Sequence, residues 1–473
     1  MALSLRYILL PVVCTIHSLL GLRELSGVVD NGQAYAALDF DLKWPKVSTM
    51  PKPDRVPTSP PKSAAGSAVE TSDWVAPFLN GLSSALNIRL DQLATFASNI
   101  DERANALVAQ CRELLSGGKR LRAVLAFWSF MAQYQPDAST DGQAALTEGQ
   151  AGLTECQVDP TEGQTANPKG QMANTEAIIQ LGVALELFQA SALFHDDILD
   201  NSDVRRGFPT AHRTFAQQHR NQNLTGDSQK FGNNVAILLG DLALSLAYDA
   251  LNSAISLAAL APGQAELART NFSAMCQEVI IGQYLDILLE SEPLIAPTEP
   301  LTNQIDLSRA AKVVSAKAAS YCARYPLVLG AIFAGVPNPQ LTLLSDIGEK
   351  LGVAFQLRDD ILGIYGDETK TGKPAGDDLR EGKRTVLLLE TLKRANHGQY
   401  DALTAIIGNQ NLTTTDLKVA KAAIRETGAL AKVERLAETL AAHAIAQLSA
   451  LPLAEPGKSQ LIAVARTLTD RDA

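Results

Sequence analysis

The sequence predicts an all-α fold. Aromatic residues make up only 5% of the chain and Ala and Leu dominate its long apolar runs, a composition that fills helices rather than the β-branched, aromatic face of a sheet. Within those runs apolar residues recur at spacings of three and four, and Gly, Pro or Asn punctuate the breaks. A hydrophobic fraction of 46% against 19% charged residues is that of a globular protein with a sizeable core.

In chain order, the first segment is the apolar run RYILLPVVCTIHSLLGL. Pro11 and His17 interrupt it, and it is shorter than the roughly 20 residues a spanning helix needs, so it reads as an N-terminal extension. No later stretch reads as transmembrane, and no stable membrane insertion is expected. From Trp44 to Asp73 the chain is rich in Pro and Ser with no apolar period, the signature of an extended linker. Residues 1–73 are therefore expected to be disordered, with one folded domain over 74–473.

Residues 100–131 read as a helix, a GGKRLR turn and a second helix. Between Thr140 and Asn174 a seven-residue repeat follows: TDGQAAL, TEGQAGL, TECQVDP, TEGQTAN, PKGQMAN. Gly recurs at the third position, Pro160 and Pro168 interrupt it and apolar content is low, so a coiled coil is disfavoured. A disordered loop inserted over about 136–174 is expected, since extra length at an exposed connection costs little. Helical periodicity then marks 176–200, 232–260, 267–290, 310–333, 341–365, 385–395 and 416–450, with strands playing no visible part.

A net charge of -10 argues against a nucleic-acid partner, so any anionic ligand must be held by locally clustered cations. The five cysteines are scattered without metal-ligand spacing, which suggests neither a disulfide framework nor a zinc site and suits a reducing cytoplasm. The local clusters stand out against this background. In LFHDDILDNSDVRRG, Asp196 and Asp200 share a helix face and Asp197 lies beside them. Two such carboxylates about 6 Å apart repel by roughly 3 kcal/mol at an effective dielectric near 20, which calls for a divalent or other cationic partner. Oxygen ligands without Cys or paired His point to Mg²⁺. FQLRDDILGIYGD repeats the pattern with Gln356, Asp359 and Asp360. SGGKRLR supplies Lys119, Arg120 and Arg122, and Arg205, Arg206, Lys373, Lys383 and Arg384 follow the acidic motifs. That alternation is compatible with surface ion pairing, and also with two diphosphates, one held through metals and one directly.

With GGKRLR, FHDDILDNSDVRRG, GQYLD, FQLRDDILG and TGKPAGDDLREGKRT in this order, the chain resembles the trans-isoprenyl diphosphate synthases, or polyprenyl synthetases, from about Ile100 onward. The resemblance implies an isoprenoid synthase fold around a central cavity, a homodimer, and condensation of isopentenyl diphosphate with an allylic diphosphate using Mg²⁺, about three ions per site. Matched residue by residue, it makes Asp196, Asp197, Asp200, Asp359 and Asp360 metal ligands. Arg205, Lys317, Gln356, Lys373 and Lys383 match contacts to the allylic diphosphate or its metals. Lys119, Arg122, Arg206 and Gln189 match the isopentenyl diphosphate site, Gln189 standing where many relatives have His. Asp196, Asp200, Arg205, Lys317, Asp359 and Lys373 are the expected catalytic set. Ala318 replaces the Thr or Ser common after the lysine, Ala123 replaces a common Pro, and Gly363 ends the second acidic motif with Asp367 nearby.

Product length is expected to depend on what lies beneath the first acidic motif. Ser191 and Ala192 are small, and Phe188 is the next bulky residue, about 4.5 Å deeper than position 191 at a helical rise of 1.5 Å per residue. That depth is one isoprene unit beyond a fifteen-carbon stop, so a twenty-carbon product is expected with Phe188 as floor, and longer products if Phe188 only packs in the core. Competing readings are a terpene cyclase or head-to-head synthase, a non-catalytic partner subunit, and a generic helical metal-binding protein.

Overall fold

A computed structural model describes residues 72–133, 168–294, 307–366 and 375–469. The expected extension, most of the repeat insertion, Asp367 and Lys373 lie outside the described residues. Helix α1 (Ser72–Ile100) opens the domain, followed by α2 (Asn105–Ser116) and α3 (Leu121–Gln133) on either side of the GGKR loop. Helix α4 (Pro168–Leu199) reaches back into the last repeat, where a disordered loop is expected. Pro168 explains the start: its fixed φ suits a first helical position, and the good helix formers Gln171, Met172 and Ala173 follow.

Beyond α4 a two-residue hairpin, β1 (Val204–Arg205) paired antiparallel with β2 (Phe208–Pro209), corrects the expectation of no strands. Next come α5 (Ala211–Asn221), α6 (Ser228–Leu257) and α7 (Pro262–Ser291). The Asp227 side chain accepts from Lys230 N at 2.7 Å and fixes the start of α6. The segment expected as one helix over 310–333 is instead α8 (Leu307–Val313), a π-helix (Val314–Arg324) and α9 (Tyr325–Phe333). Then follow α10 (Asn338–Tyr365), α11 (Asp377–Glu381), α12 (Val386–Arg394) and α13 (His397–Ile406). Gly428, at φ 71°, splits the expected 416–450 segment into α14 (Thr414–Glu426) and α15 (Ala429–Ala450), and α16 (Gly457–Thr469) closes the described chain.

Helix α4 is the centre of the bundle. Its apolar residues face inward on nearly every side, from Ala177 through Phe194, against α3, α6 and α9. Phe78 and Phe127 stack at 4.4 Å beside it. From Asn174 α4 is long and apolar enough to cross a membrane, as are α6 and α7, which corrects the sequence reading that no stretch after the N-terminal run has that character. In α4 this apolarity is used in the core. In α6 and α7 it leaves Ile237, Leu238, Ile280, Ile281 and Tyr284 exposed.

Candidate active site

The site grows from the C-terminal end of α4, where Asp196, Asp197 and Asp200 emerge from the core. Each meets a cation from a different element. Arg205 on β1 donates through Nε to Asp197 Oδ1 at 2.7 Å and brings Nη2 to 2.5 Å from that oxygen and 3.6 Å from Asp196 Oδ2. Lys317, in the π-helix, lies 3.5 Å from Asp196 Oδ1 and 2.5 Å from Asp286 Oδ2 on α7. Lys383, in the turn before α12, reaches Asp200 Oδ2 at 3.1 Å and Glu381 Oε2 at 2.6 Å.

The local fields follow from this pairing. Burial alone would lower the Lys317 ammonium, but Asp196 and Asp286 overcome it and hold the group above its ordinary value. Lys383 is raised against burial in the same way by Asp200, Asp378 and Glu381. Burial and then Asp196 push the Asp200 carboxyl up, with Lys383 opposing. Glu290 on α7 rises to about 7, first through burial and then through Asp286 and Asp200.

Close backbone packing sets the position of Lys317. A Cβ on Gly282 of α7 would lie 2.5 Å from Lys317 N, and one on Gly352 of α10 would lie 2.5 Å from Ala319 Cα. Both neighbouring helices therefore touch the π-helix backbone to backbone, and only glycine permits it. A π-helix within a helical run is common at functional sites.

The second acidic motif is built differently. Asp360 on α10 is buried, with Gln356 Nε2 donating to its Oδ1 at 2.9 Å, and its carboxyl is pushed up to about 8 by burial and then by Asp378. Asp378 packs where a side chain at Gly363 would sit. Asp359 precedes it on the more accessible side of the helix.

The basic residues divide further. Arg206 and Gln189 line one cleft between α2 and α4, together with Arg120 and Glu186. Lys119 is exposed on the loop beside it. Arg122 does not join that cleft: it is buried, with its guanidinium 4.1 Å over the Tyr321 ring and Nη2 donating to Cys322 Sγ at 2.9 Å. Phe188 is buried edge-on to Phe272 at 6.1 Å and Tyr321 at 5.9 Å, Ser191 is buried above it, and Ala192 is half-buried. Sequence reading passed over Asp286, Glu290, Asp378, Glu186 and Tyr321. GQYLD was the available signal for Asp286, and GDDLREGKRT for Asp378.

The residue chemistry fits Mg²⁺: the acidic motifs supply only hard carboxylate oxygens, from Asp196, Asp197, Asp200 and Asp359. As they stand, among the described residues no three acidic, His or Cys groups converge on one point, because lysine and arginine occupy the α4 carboxylates. Exchange of those cations onto a diphosphate would free the carboxylates.

Known proteins match this arrangement. The polyprenyl synthetase family profile matches residues 105–424. A geranylgeranyl diphosphate synthase of Saccharolobus solfataricus is 32% identical over 251 residues, covering 53% of this chain and 67% of that protein. A geranylfarnesyl diphosphate synthase of Aeropyrum pernix is 30% identical over 284 residues, 60% of this chain and 79% of that one. Among solved structures, a geranylgeranyl pyrophosphate synthase from Corynebacterium glutamicum, complexed with isoprenyl diphosphate and magnesium, superimposes with a TM-score of 0.69 at 34% identity. It covers 84% of this chain and 99% of that one. The chain belongs to the polyprenyl synthetase family and is a prenyltransferase of isoprenoid chain elongation.

Proposed function

We propose that the chain condenses isopentenyl diphosphate head-to-tail with an allylic diphosphate and releases geranylgeranyl diphosphate. The observation that carries this reading is the row of α4 carboxylates, each engaged by a cation from a separate element, standing over a column of small and aromatic residues. In it Asp196, Asp197 and Asp200 would hold Mg²⁺ from one side and Asp359 from the other, with Asp360 bracing the second motif from within. Bound there, Mg²⁺ supplies charge neutralisation to the leaving diphosphate.

The chain's own groups do the rest. Arg205, Lys317 and Lys383 turn from carboxylates to the allylic diphosphate and stabilise the charge that develops as its carbon–oxygen bond ionises. Asp286 keeps Lys317 aimed at the site. The aliphatic interior keeps water from the allylic cation until the double bond of isopentenyl diphosphate attacks it. The departed diphosphate, held by these cations, takes the proton that completes the new allylic product. Lys119 and Arg206, with Gln189, are assigned to isopentenyl diphosphate, and Arg122 supports that site from below through Tyr321.

Ser191 and Ala192 beneath the acidic row are small, and the first bulky residue below them, Phe188, is braced by Phe272 and Tyr321; this supports a twenty-carbon stop. The exposed apolar residues of α6 and α7 suit a homodimer interface, because burying that surface contributes about 25 cal/mol per Å². The buried thiols Cys111, Cys276 and Cys322 suit a reducing cytoplasm.

The test is incubation of purified protein with Mg²⁺, labelled isopentenyl diphosphate and primers of five, ten and fifteen carbons, with the products sized. Twenty carbons is the expected length. A different end point overturns the floor assignment, and no elongation from any primer supports a non-catalytic partner subunit instead.

A further inference from the structure

One buried carboxylate in the molecule is surrounded by arginine. Glu186, on α4 one turn before Gln189, has a side chain only 2% exposed and pairs with Arg120 Nη1 at 3.0 Å. Its other oxygen, Oε1, is buried and has no hydrogen-bond partner among the described residues. Glu186 also attracts Arg122 and Arg206. Burial lowers the Arg206 guanidinium below its ordinary value; Glu186 opposes that, while Arg120, Arg205 and Arg122 add to it. A buried Arg–Glu pair closed on itself would leave no surplus charge. Here Glu186 pairs directly with Arg120, and Arg206 lines the same cleft, so one carboxylate faces two guanidinium groups and a net positive charge remains beside the cleft that Glu186, Gln189, Arg120 and Arg206 line.

The backbone of this cluster is strained as well. Arg120 at φ 50° and Arg206 at φ 55° both occupy the left-handed region that non-glycine residues disfavour. Strain of this kind persists only where surrounding contacts impose it, and it gathers at ligand clamps. The contacts are visible: Arg206 Nη1 donates to Leu114 O and to Gly117 O, each at 2.6 Å, and Arg120 Nη2 donates to Leu115 O. The last carbonyls of α2, the negative end of that helix, thus grip both arginines from one side while Glu186 grips Arg120 from the other. Each guanidinium carries five donors, so both keep N–H groups to spare.

We propose that Glu186 is the positioning residue of the isopentenyl diphosphate site and that Arg120 is an additional cation of that site. This deepens the function proposed above and rests on it. Glu186 holds Arg120 at the cleft before substrate arrives, beside Arg206 held by Leu114 O and Gly117 O, so that a second diphosphate meets cations already in position and supplies the missing negative charge. The allylic diphosphate is assigned to the carboxylates about 15 Å further along α4 at 1.5 Å per residue, which neither Glu186 nor Arg120 contacts.

Three variants decide it: Glu186→Gln, Glu186→Asp and Arg120→Gln. For each, KM is measured separately for isopentenyl diphosphate and for a fifteen-carbon allylic diphosphate, alongside the melting temperature. Glu186→Gln and Arg120→Gln are expected to raise KM for isopentenyl diphosphate about tenfold or more while KM for the allylic substrate stays within about twofold. Glu186→Asp, which keeps the charge on a shorter arm, is expected to recover part of the loss. Equal rises in both KM values, or an unchanged KM for isopentenyl diphosphate with a lowered melting temperature, would make Glu186 a purely structural residue and overturn the proposal. Should Glu186→Gln fail to fold, Arg120→Gln carries the decision alone. If the unmodified protein elongates no primer, the proposed function falls; if it elongates and the KM values do not separate, only the role of Glu186 falls.

Discussion

At the end of α4, Asp196, Asp197 and Asp200 face cations delivered by β1, the π-helix and the turn before α12. On α10, Asp360 sits in the core with Gln356 donating to it and a second carboxylate, Asp378, alongside. The two stretches are spelled almost alike, DDILD and DDILG, yet the first forms a row of ion pairs and the second buries Asp360 beside Gln356 and Asp378. The difference teaches that a paired-aspartate motif specifies spacing on a helix face, while the surrounding elements decide whether each carboxylate is ion-paired or buried in the core.

Four substitutions would break or sharpen that contrast. Asp196→Asn removes a carboxylate assigned to the metal and unbalances Lys317, and is expected to lower kcat about 10³-fold; a loss under tenfold would remove the α4 row from the mechanism. Gly282→Ala forces a methyl group against the backbone of Lys317 and is expected to cost about 1–3 kcal/mol of stability by denaturant melting, with activity falling further than the stability loss explains. Asp360→Asn keeps a hydrogen-bonding side chain for Gln356, and its expected loss of about tenfold in kcat sits well below that of Asp196→Asn. If the two losses are equal, the asymmetry between the motifs is not functional. Ser191→Phe is expected to leave kcat for the first condensation nearly unchanged and to shorten the product to fifteen carbons on sizing, since an aromatic ring there fills the space above Phe188. An unchanged product length would sink the cavity-floor argument.

Much of the fold was legible. The periodic segments became α4, α6, α7, α10 and α12 with modest changes of boundary, because an amphipathic or fully apolar helix announces itself through spacings set by backbone geometry alone. The π-helix was not legible: VSAKAASYCAR has no periodicity that separates i→i+5 from i→i+4 bonding, and its width depends on glycines 35 residues earlier and 35 later, at Gly282 and Gly352 relative to Lys317. The GGKRLR motif was legible as a cationic turn, but its division of labour was not. The resemblance matched Lys119 and Arg122 of this turn to the isopentenyl diphosphate site and left Arg120 as a further cation without a matched contact; packing sets Arg122 over Tyr321 and pairs Arg120 with Glu186.

The sequence by itself determined where the helices run, where they stop, and which stretches carry opposed charge, because propensity, capping and periodicity act over a few neighbouring residues. Only the tertiary structure decided which cation meets which carboxylate, that Asp286 pairs with Lys317 and Glu186 with Arg120, and that Phe188 is braced by Phe272 and Tyr321. Coulomb attraction and close packing act through space, here between residues that lie from 8 to 183 positions apart along the chain.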